Sequence, residues 1–231
     1  MESRLPKVIF EDDDILVVDK PVGLVVNSSD TTTSETLQDI VRAEGPDYIE
    51  DDSEFQSRSG IVHRLDKDTS GVIVIAKNEA AFLKIQAQFK ERTVEKEYMA
   101  LVLGKVEDSL IEVDAPIGRN PRNRLKFAVV DGGKEAFTKF TKVKELTVLD
   151  EVLTLLTAFP KTGRTHQIRV HLAALGYPVA GDILYSTRSQ YEKWNPHFNR
   201  LMLHSCKISF THPTTGDRVC YEAPLPPEFM L

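Results

Sequence analysis

An α+β fold around a largely antiparallel sheet is the class this sequence predicts. Three observations carry it. Strand-like segments dominate the 231 residues. The helical patterns are interspersed among them irregularly. The longer segments Glu95–Leu103, Lys134–Val143 and Val148–Phe159 alternate their faces, and their connections are consistent with antiparallel pairing.

The elements follow in order. Val8–Phe10 and Ile15–Val18 read as short strands around an acidic turn, and Lys20-Pro-Val-Gly breaks the pattern. Glu35–Ala43 is a short helix with Thr33 or Ser34 as its cap. Gly45–Gly60, rich in Asp, Glu and Ser, is a loop. Gly71–Lys77 is a near-continuous β-branched run, the mark of a strand buried on both faces. Glu79–Glu91 is a helix: Asn78 is a good cap, and Phe82, Ile85 and Phe89 form one apolar stripe at i, i+3 and i+7. After the three long strands, Thr165–Leu175 is a helix with Ile168, Leu172 and Leu175 facing inward and Gly176 as its stop. Leu201–Ser205, Lys207–Thr211 and Arg218–Glu222 are further short strands, and Pro224-Leu-Pro-Pro closes the fold. No linker divides the chain, so a single domain over residues 1–231 is expected.

Composition bounds the class. The hydrophobic fraction is 41% and the charged fraction 28%, ordinary for a soluble globular protein. Disorder, collagen and a disulfide scaffold are excluded as the overall class. Lys and Arg number 29 against 35 Asp and Glu, a net charge of −6 that argues weakly against a nucleic-acid binder. The charge is divided unevenly, however. Residues 1–55 hold 15 acidic and 4 basic residues, a net of −11, which leaves the remainder at +5. Much of the acidic excess lies in residues 44–55, expected as a solvated loop. The basic remainder keeps an anionic partner open. Met1-Glu-Ser-Arg-Leu-Pro lacks the apolar core of a signal peptide, and no apolar stretch approaches 18 residues. A cytoplasmic protein without membrane contact is expected, with Cys206 and Cys220 reduced and, at that spacing, no metal site.

Three clusters can carry chemistry. His63-Arg-Leu-Asp-Lys-Asp-Thr-Ser-Gly71 lies on the connection feeding the buried strand, a rigid base for functional groups. Asp66 is its candidate reactive carboxylate, ionised at neutral pH and able to serve as nucleophile or base. The plain alternative is that Asp66 and Asp68 are turn formers. In Lys161-Thr-Gly-Arg-Thr-His-Gln-Ile-Arg-Val-His171, Thr165, His166 and Arg169 share a helix face. The helix start at Gly163 and Arg164 suits an anion, and Arg169 can pair with a buried carboxylate. The alternative is an amphipathic helix with a solvated basic face. Arg119-Asn-Pro-Arg-Asn-Arg-Leu-Lys126 has four cations in eight residues and no acid, which suits phosphate contacts on a hairpin-like loop, or simply a soluble loop. Tyr98 lies in a strand, where a cross-strand or core role is usual. Phosphate-binding, dinucleotide, zinc-protease and nucleophile-elbow motifs are absent.

In this order, the clusters resemble the RluA-type pseudouridine synthases, which isomerise specific uridines in ribosomal or transfer RNA. The resemblance covers nearly the whole chain, from Ile9–Gly23 to Phe210–Gly216 and Ala223-Pro-Leu-Pro. It is most specific at His63–Gly71, Lys96-Glu-Tyr98 and Gly163–His171. It implies a mixed, mainly antiparallel central sheet flanked by helices and loops, with a catalytic cleft across its middle. Many relatives carry an N-terminal S4-type RNA-binding domain. Here the catalytic segment begins near Pro6, so a stand-alone catalytic domain, working as a monomer, is expected.

The implied reaction breaks the bond from ribose C1′ to uracil N1, turns the base and rejoins it through C5, with no cofactor and no metal. The target uridine must first leave the stack. Arg64 matches the arginine that helps this flip. Asp66 attacks C1′ or removes the C2′ proton; the residues do not choose between the routes. Arg169 matches the basic partner that keeps Asp66 ionised. Tyr98 matches the tyrosine that stacks on uracil and takes part in removing the C5 proton. Leu65 and Ile168 are expected as walls of the base pocket, with His63, Arg119, Lys126 and Arg164 as RNA contacts. Two rivals stand beside this: a catalytically idle RNA-binding or assembly factor, and a carboxylate-dependent nucleoside hydrolase.

Overall fold

The computed structural model describes residues 4–28, 32–44 and 53–230. Its elements are, in chain order, β1 (Lys7–Glu11), β2 (Ile15–Lys20), α1 (Leu37–Glu44), α2 (Glu54–Ser57), β3 (Ser70–Ala76) and α3 (Glu79–Glu91). Then come β4 (Glu95–Leu103), β5 (Leu110–Asp114), β6 (Ile117–Arg119), β7 (Phe127–Val129), β8 (Phe137–Val148) and β9 (Glu151–Pro160). The chain finishes with α4 (Gln167–Ala174), α5 (Arg188–Trp194), β10 (Leu203–Thr211), β11 (Arg218–Glu222) and a short 3₁₀ turn, Pro227–Phe229. The expected α+β class with a mainly antiparallel sheet is the one the protein adopts. The described residues form two compact units, one from residues 1–95 and 205–224, the other from 96–204 and 225–231.

In the first unit, β2 pairs antiparallel with β3, from Ile15↔Ala76 to Lys20↔Gly71. Every residue of β3 is buried, as its unbroken apolar run requires. β1 adds to the free side of β2. β10, from Ser205 onward, lies against β3 and carries β11 on its other side. Gly71 makes that neighbour possible. At φ +116°, a Cβ there would stand 2.1 Å from the Ser205 carbonyl oxygen. α3 is bounded as the sequence predicts, with Asn78 Oδ1 accepting from the Ala81 N–H at 2.9 Å. Its Phe82 and Ile85 are fully buried against Val72, Val74 and Phe210.

α1 begins later than expected. Its cap is Thr36, whose Oγ1 accepts from the Asp39 N–H while Asp39 Oδ2 accepts from the Thr36 N–H. That reciprocal pair outcompetes Thr33 and Ser34. Of the expected acidic loop, residues 45–52 lie outside the described residues; beyond them, Ser53 caps the four-residue α2.

In the second unit, the sheet order is β4-β9-β8-β5, all antiparallel. β4 has the expected bounds. The β8–β9 turn does not fall between residues 143 and 148. It is the pair Leu149-Asp150, at φ +52° and +60°. Two left-handed residues match the twist of the flanking strands, so both strands run on to this tight turn. β6 and β7 form a separate hairpin enclosing residues 120–126. The core packs Phe140, Leu155 and Leu156 with Ile168, Leu172 and Trp194.

Candidate active site

In the first unit, the loop carrying Asp66 is clamped from three sides. His63 Nε2 accepts from the Val74 N–H of β3 at 3.0 Å, and its ring stacks on Phe89 of α3 at 5.0 Å. His63, expected as an RNA contact, thus has one ring nitrogen committed to the fold. The Thr69 N–H donates to the Asp66 carbonyl at 3.1 Å, a turn that leads into β3. From the opposite side comes Lys20, fully buried at the end of β2. Its ammonium donates to the carbonyls of Pro21, Leu24 and Lys67 at 2.8, 2.8 and 3.0 Å. The Gly23 N–H adds a bond to Lys67 O at 2.9 Å. Along this loop Arg64 is exposed, Leu65 buried, and Asp66 half-buried. Leu65, at 4% exposure, is a core residue.

In the second unit, Lys96 and Tyr98 lie on one face of β4, two residues apart. Tyr98, opposite Ala158 of β9, is half-buried and packs on the unit's core. Lys96 Nζ donates to the Thr162 carbonyl at 3.3 Å. Burial pushes its pKa from 10.5 down to about 8.

α4 is shorter than the helix expected over Thr165–Leu175 and rules out the alternative with a solvated basic face. His166 sits at φ +55°, so the helix starts at Gln167 and Thr165 lies outside it. Gln167, Ile168, Arg169, Val170, His171 and Leu172 are all buried, so the helix presents no solvated basic face. Its polar side chains are matched inside the protein. Gln167 Nε2 donates to Phe137 O and Thr138 Oγ1, and its Oε1 accepts from Thr162 Oγ1 at 2.6 Å and the Arg164 N–H at 3.0 Å. That last bond satisfies part of the helix start expected to take an anion. Arg164 Nε donates to the Glu135 carbonyl. His171 Nε2 donates to Ala115 O at 3.0 Å, and its Nδ1 meets Thr138 Oγ1 at 2.9 Å. Burial holds its pKa below 6.5.

Arg169 is the chemically distinctive member of α4. Its guanidinium grips Asp182 in a two-point fork, Nε to Oδ2 at 2.7 Å and Nη2 to Oδ1 at 2.8 Å, with both side chains buried. Asp182 Oδ1 also accepts from the N–H groups of Leu184 and Tyr185. The Tyr185 ring lies 5.1 Å from the guanidinium carbon. The Tyr185 hydroxyl accepts from the Phe127 N–H at 3.1 Å and lies 2.9 Å from His166 Nδ1. Arg119 stacks over Phe127 at 4.5 Å. Touching side chains thus run from the basic hairpin to Arg169.

Sequence reasoning anticipated a buried carboxylate for Arg169 but not Asp182. Its signal was a turn-forming Gly-Asp pair after an apolar run, which also reads as an ordinary loop. Lys20 was likewise missed, because a lysine beside Pro-Val-Gly carries no mark of burial.

Known proteins are similar to this chain. The family model described as RNA pseudouridylate synthase matches residues 14–174. A protein named ribosomal large subunit pseudouridine synthase D from Nitrosomonas europaea is 42% identical over 223 residues. That alignment takes in 95% of this chain but 62% of the relative, so the chain spans about three fifths of the relative's length. A protein of the same name from Pseudomonas aeruginosa is 38% identical, over 97% of this chain and 69% of its own. Among solved structures, human RNA pseudouridylate synthase domain containing 1 superposes with a TM-score of 0.75 at 28% identity, covering 96% of this chain and 84% of that one. On these matches the chain belongs to the RNA pseudouridylate synthase family.

Proposed function

We propose that this chain is an RNA pseudouridine synthase that isomerises specific uridines in 23S ribosomal RNA, transfer RNA or both, acting as a single catalytic unit, a monomer in the cytoplasm, without cofactor or metal. The observation that carries the reading is that the family match over residues 14–174 takes in His63–Gly71, Lys96–Tyr98 and Gly163–His171 together. The local geometry supports it. Asp66 stands on a loop fixed by His63 and Lys20, as a reactive carboxylate on a rigid base should. Arg169 is held in one orientation by Asp182.

In this mechanism the target uridine leaves the stack, and exposed Arg64 fills the vacated space or contacts phosphate. Asp66 attacks C1′ or removes the C2′ proton, which frees uracil N1. The base turns and rejoins through C5. Tyr98 stacks on uracil and takes part in removing the C5 proton. Arg169 is the cation that the family pattern pairs with the aspartate. By the family pattern, Leu65 and Ile168 serve as apolar walls for the uracil. Arg119, Lys126 and Arg164 contact the RNA backbone.

The test is tritium release from RNA labelled at uracil C5. Asp66→Asn abolishes release while RNA binding largely survives; turnover within tenfold of the parent sinks the assignment. Free uracil among the products would reveal a hydrolase, and complementation by Asp66→Asn would reveal an idle assembly factor. Pseudouridine mapping of total RNA from cells with and without the gene identifies the target.

A further inference from the structure

The β6–β7 loop exposes an apolar side chain where a soluble protein gains nothing from it. Leu125 is 78% exposed, the most of any large apolar residue among the described ones. Its immediate neighbours are cations: Arg119, Arg122 and Arg124 are exposed, Lys126 is half-buried, and no acidic residue falls between 119 and 130.

This loop is preorganised. Asn120 Oδ1 accepts from the N–H groups of Arg122 and Asn123 at 2.9 and 3.1 Å. Asn123 Oδ1 accepts from the Leu125 N–H at 3.0 Å, and its carbonyl accepts from the Lys126 N–H at 3.0 Å. Arg119 Nη1 donates to the Arg124 carbonyl at 2.8 Å, and the Asn120 N–H to the Lys126 carbonyl at 3.0 Å. At its base, the Phe127 N–H is anchored on the Tyr185 hydroxyl. The Leu125 backbone is therefore fixed before any partner arrives.

We propose that Leu125 is an RNA wedge. It inserts into a base step of stacked RNA while the surrounding cations hold the flanking phosphates. The inference rests on the RNA reading above and deepens it: the substrate is a helical element that must be opened, not a relaxed strand. Apolar side chains inserted between base steps unstack them, at a cost offset by the additional surface buried. Four cations without an acid favour a polyanion over a protein surface. A loop already held by its own hydrogen bonds loses little entropy on docking.

The experiment compares the parent with Leu125→Ala, Leu125→Met and, as a surface control on α3, Leu83→Ala. One readout is fluorescence of an RNA stem-loop carrying 2-aminopurine in its stem, which brightens on unstacking. The other is tritium release from C5-labelled total RNA of cells lacking the gene. Leu125→Ala is expected to abolish the fluorescence rise and to lower kcat/KM about tenfold, the scale of removing one wedging side chain. Leu125→Met restores both, and Leu83→Ala stays within twofold of the parent. An alanine variant that unstacks the stem-loop as the parent does overturns the wedge and leaves Leu125 to a protein partner's pocket. A parent that releases no tritium defeats the functional reading instead, and the fluorescence arm still decides the wedge.

Discussion

Replacing Asp182 by asparagine isolates the charge that holds Arg169. Asp182 and Arg169 are 1% and 3% exposed. The carboxylate accepts four hydrogen bonds, two from the guanidinium and two from backbone N–H groups. Asparagine keeps the volume and one acceptor oxygen, enough for Leu184 and Tyr185, but turns an amide N–H toward the guanidinium. The guanidinium then faces an amide donor where it had a carboxylate acceptor. Breaking a buried pair in this way costs about 3–5 kcal/mol. For a chain of this size each kcal/mol moves Tm by about 2–4 °C, so a fall of roughly 6–20 °C is expected. The Tyr185 ring against the guanidinium favours the lower part of that range. Thermal unfolding followed by circular dichroism measures it. Adding Arg169→Met removes the charge that lost its fork while the asparagine still serves both backbone donors, so the double variant regains about 2 kcal/mol or more over Asp182→Asn alone. A single-variant cost under about 1 kcal/mol, or a double variant no more stable than the single, refutes the reasoning.

Three further outcomes are expected. Lys96, with its pKa lowered to about 8, binds its proton less tightly in the folded state than in the unfolded chain, so stability rises as pH climbs from about 8 toward 10.5. Urea midpoints at pH 8 and 10 should show this rise in the parent and a smaller one in Lys96→Met. His171, held below 6.5 by burial, contributes stability that is complete above pH 6.5 and lost as pH falls below it, because the unfolded chain takes up the proton first. His171→Gln should flatten urea midpoints measured between pH 7 and 5. Removing Arg119, Arg122, Arg124 and Lys126 should reduce the salt dependence of RNA binding by about one unit of slope for each phosphate no longer neutralised. An unchanged slope argues against the loop as a backbone-binding element.

Sequence patterns were most legible where one force dominated. β3 needed only its unbroken β-branched run, and α3 its apolar stripe and Asn78. β4 was bounded to the residue. The failures arose where a local conformation overrode the pattern. Leu149 occupies a left-handed turn that leucine rarely adopts, so β8 outran its expected end. His166, also left-handed, delays α4, and a helix rich in polar residues proves to be buried because Gln167, Arg169 and His171 each find an internal partner. β5, β6 and β7 are too short for periodicity to register. In the site, the residue clusters offered Asp66 and Arg169 as candidates and the family resemblance added Tyr98, but the side chains that secure the Asp66 loop and Arg169, Lys20 and Asp182, act through distances that no spacing encodes.

The burial of Lys20 has a practical consequence. Its ammonium is sealed under three carbonyls, one of them that of Lys67, while the Lys67 side chain beside it stands in solvent. An amine-acylating reagent should therefore modify Lys67 at once and Lys20 only when the loop detaches from the end of β2. The ratio of the two modifications, read by peptide mass spectrometry, is a built-in gauge of how often the Asp66 loop opens. It needs no RNA and no turnover.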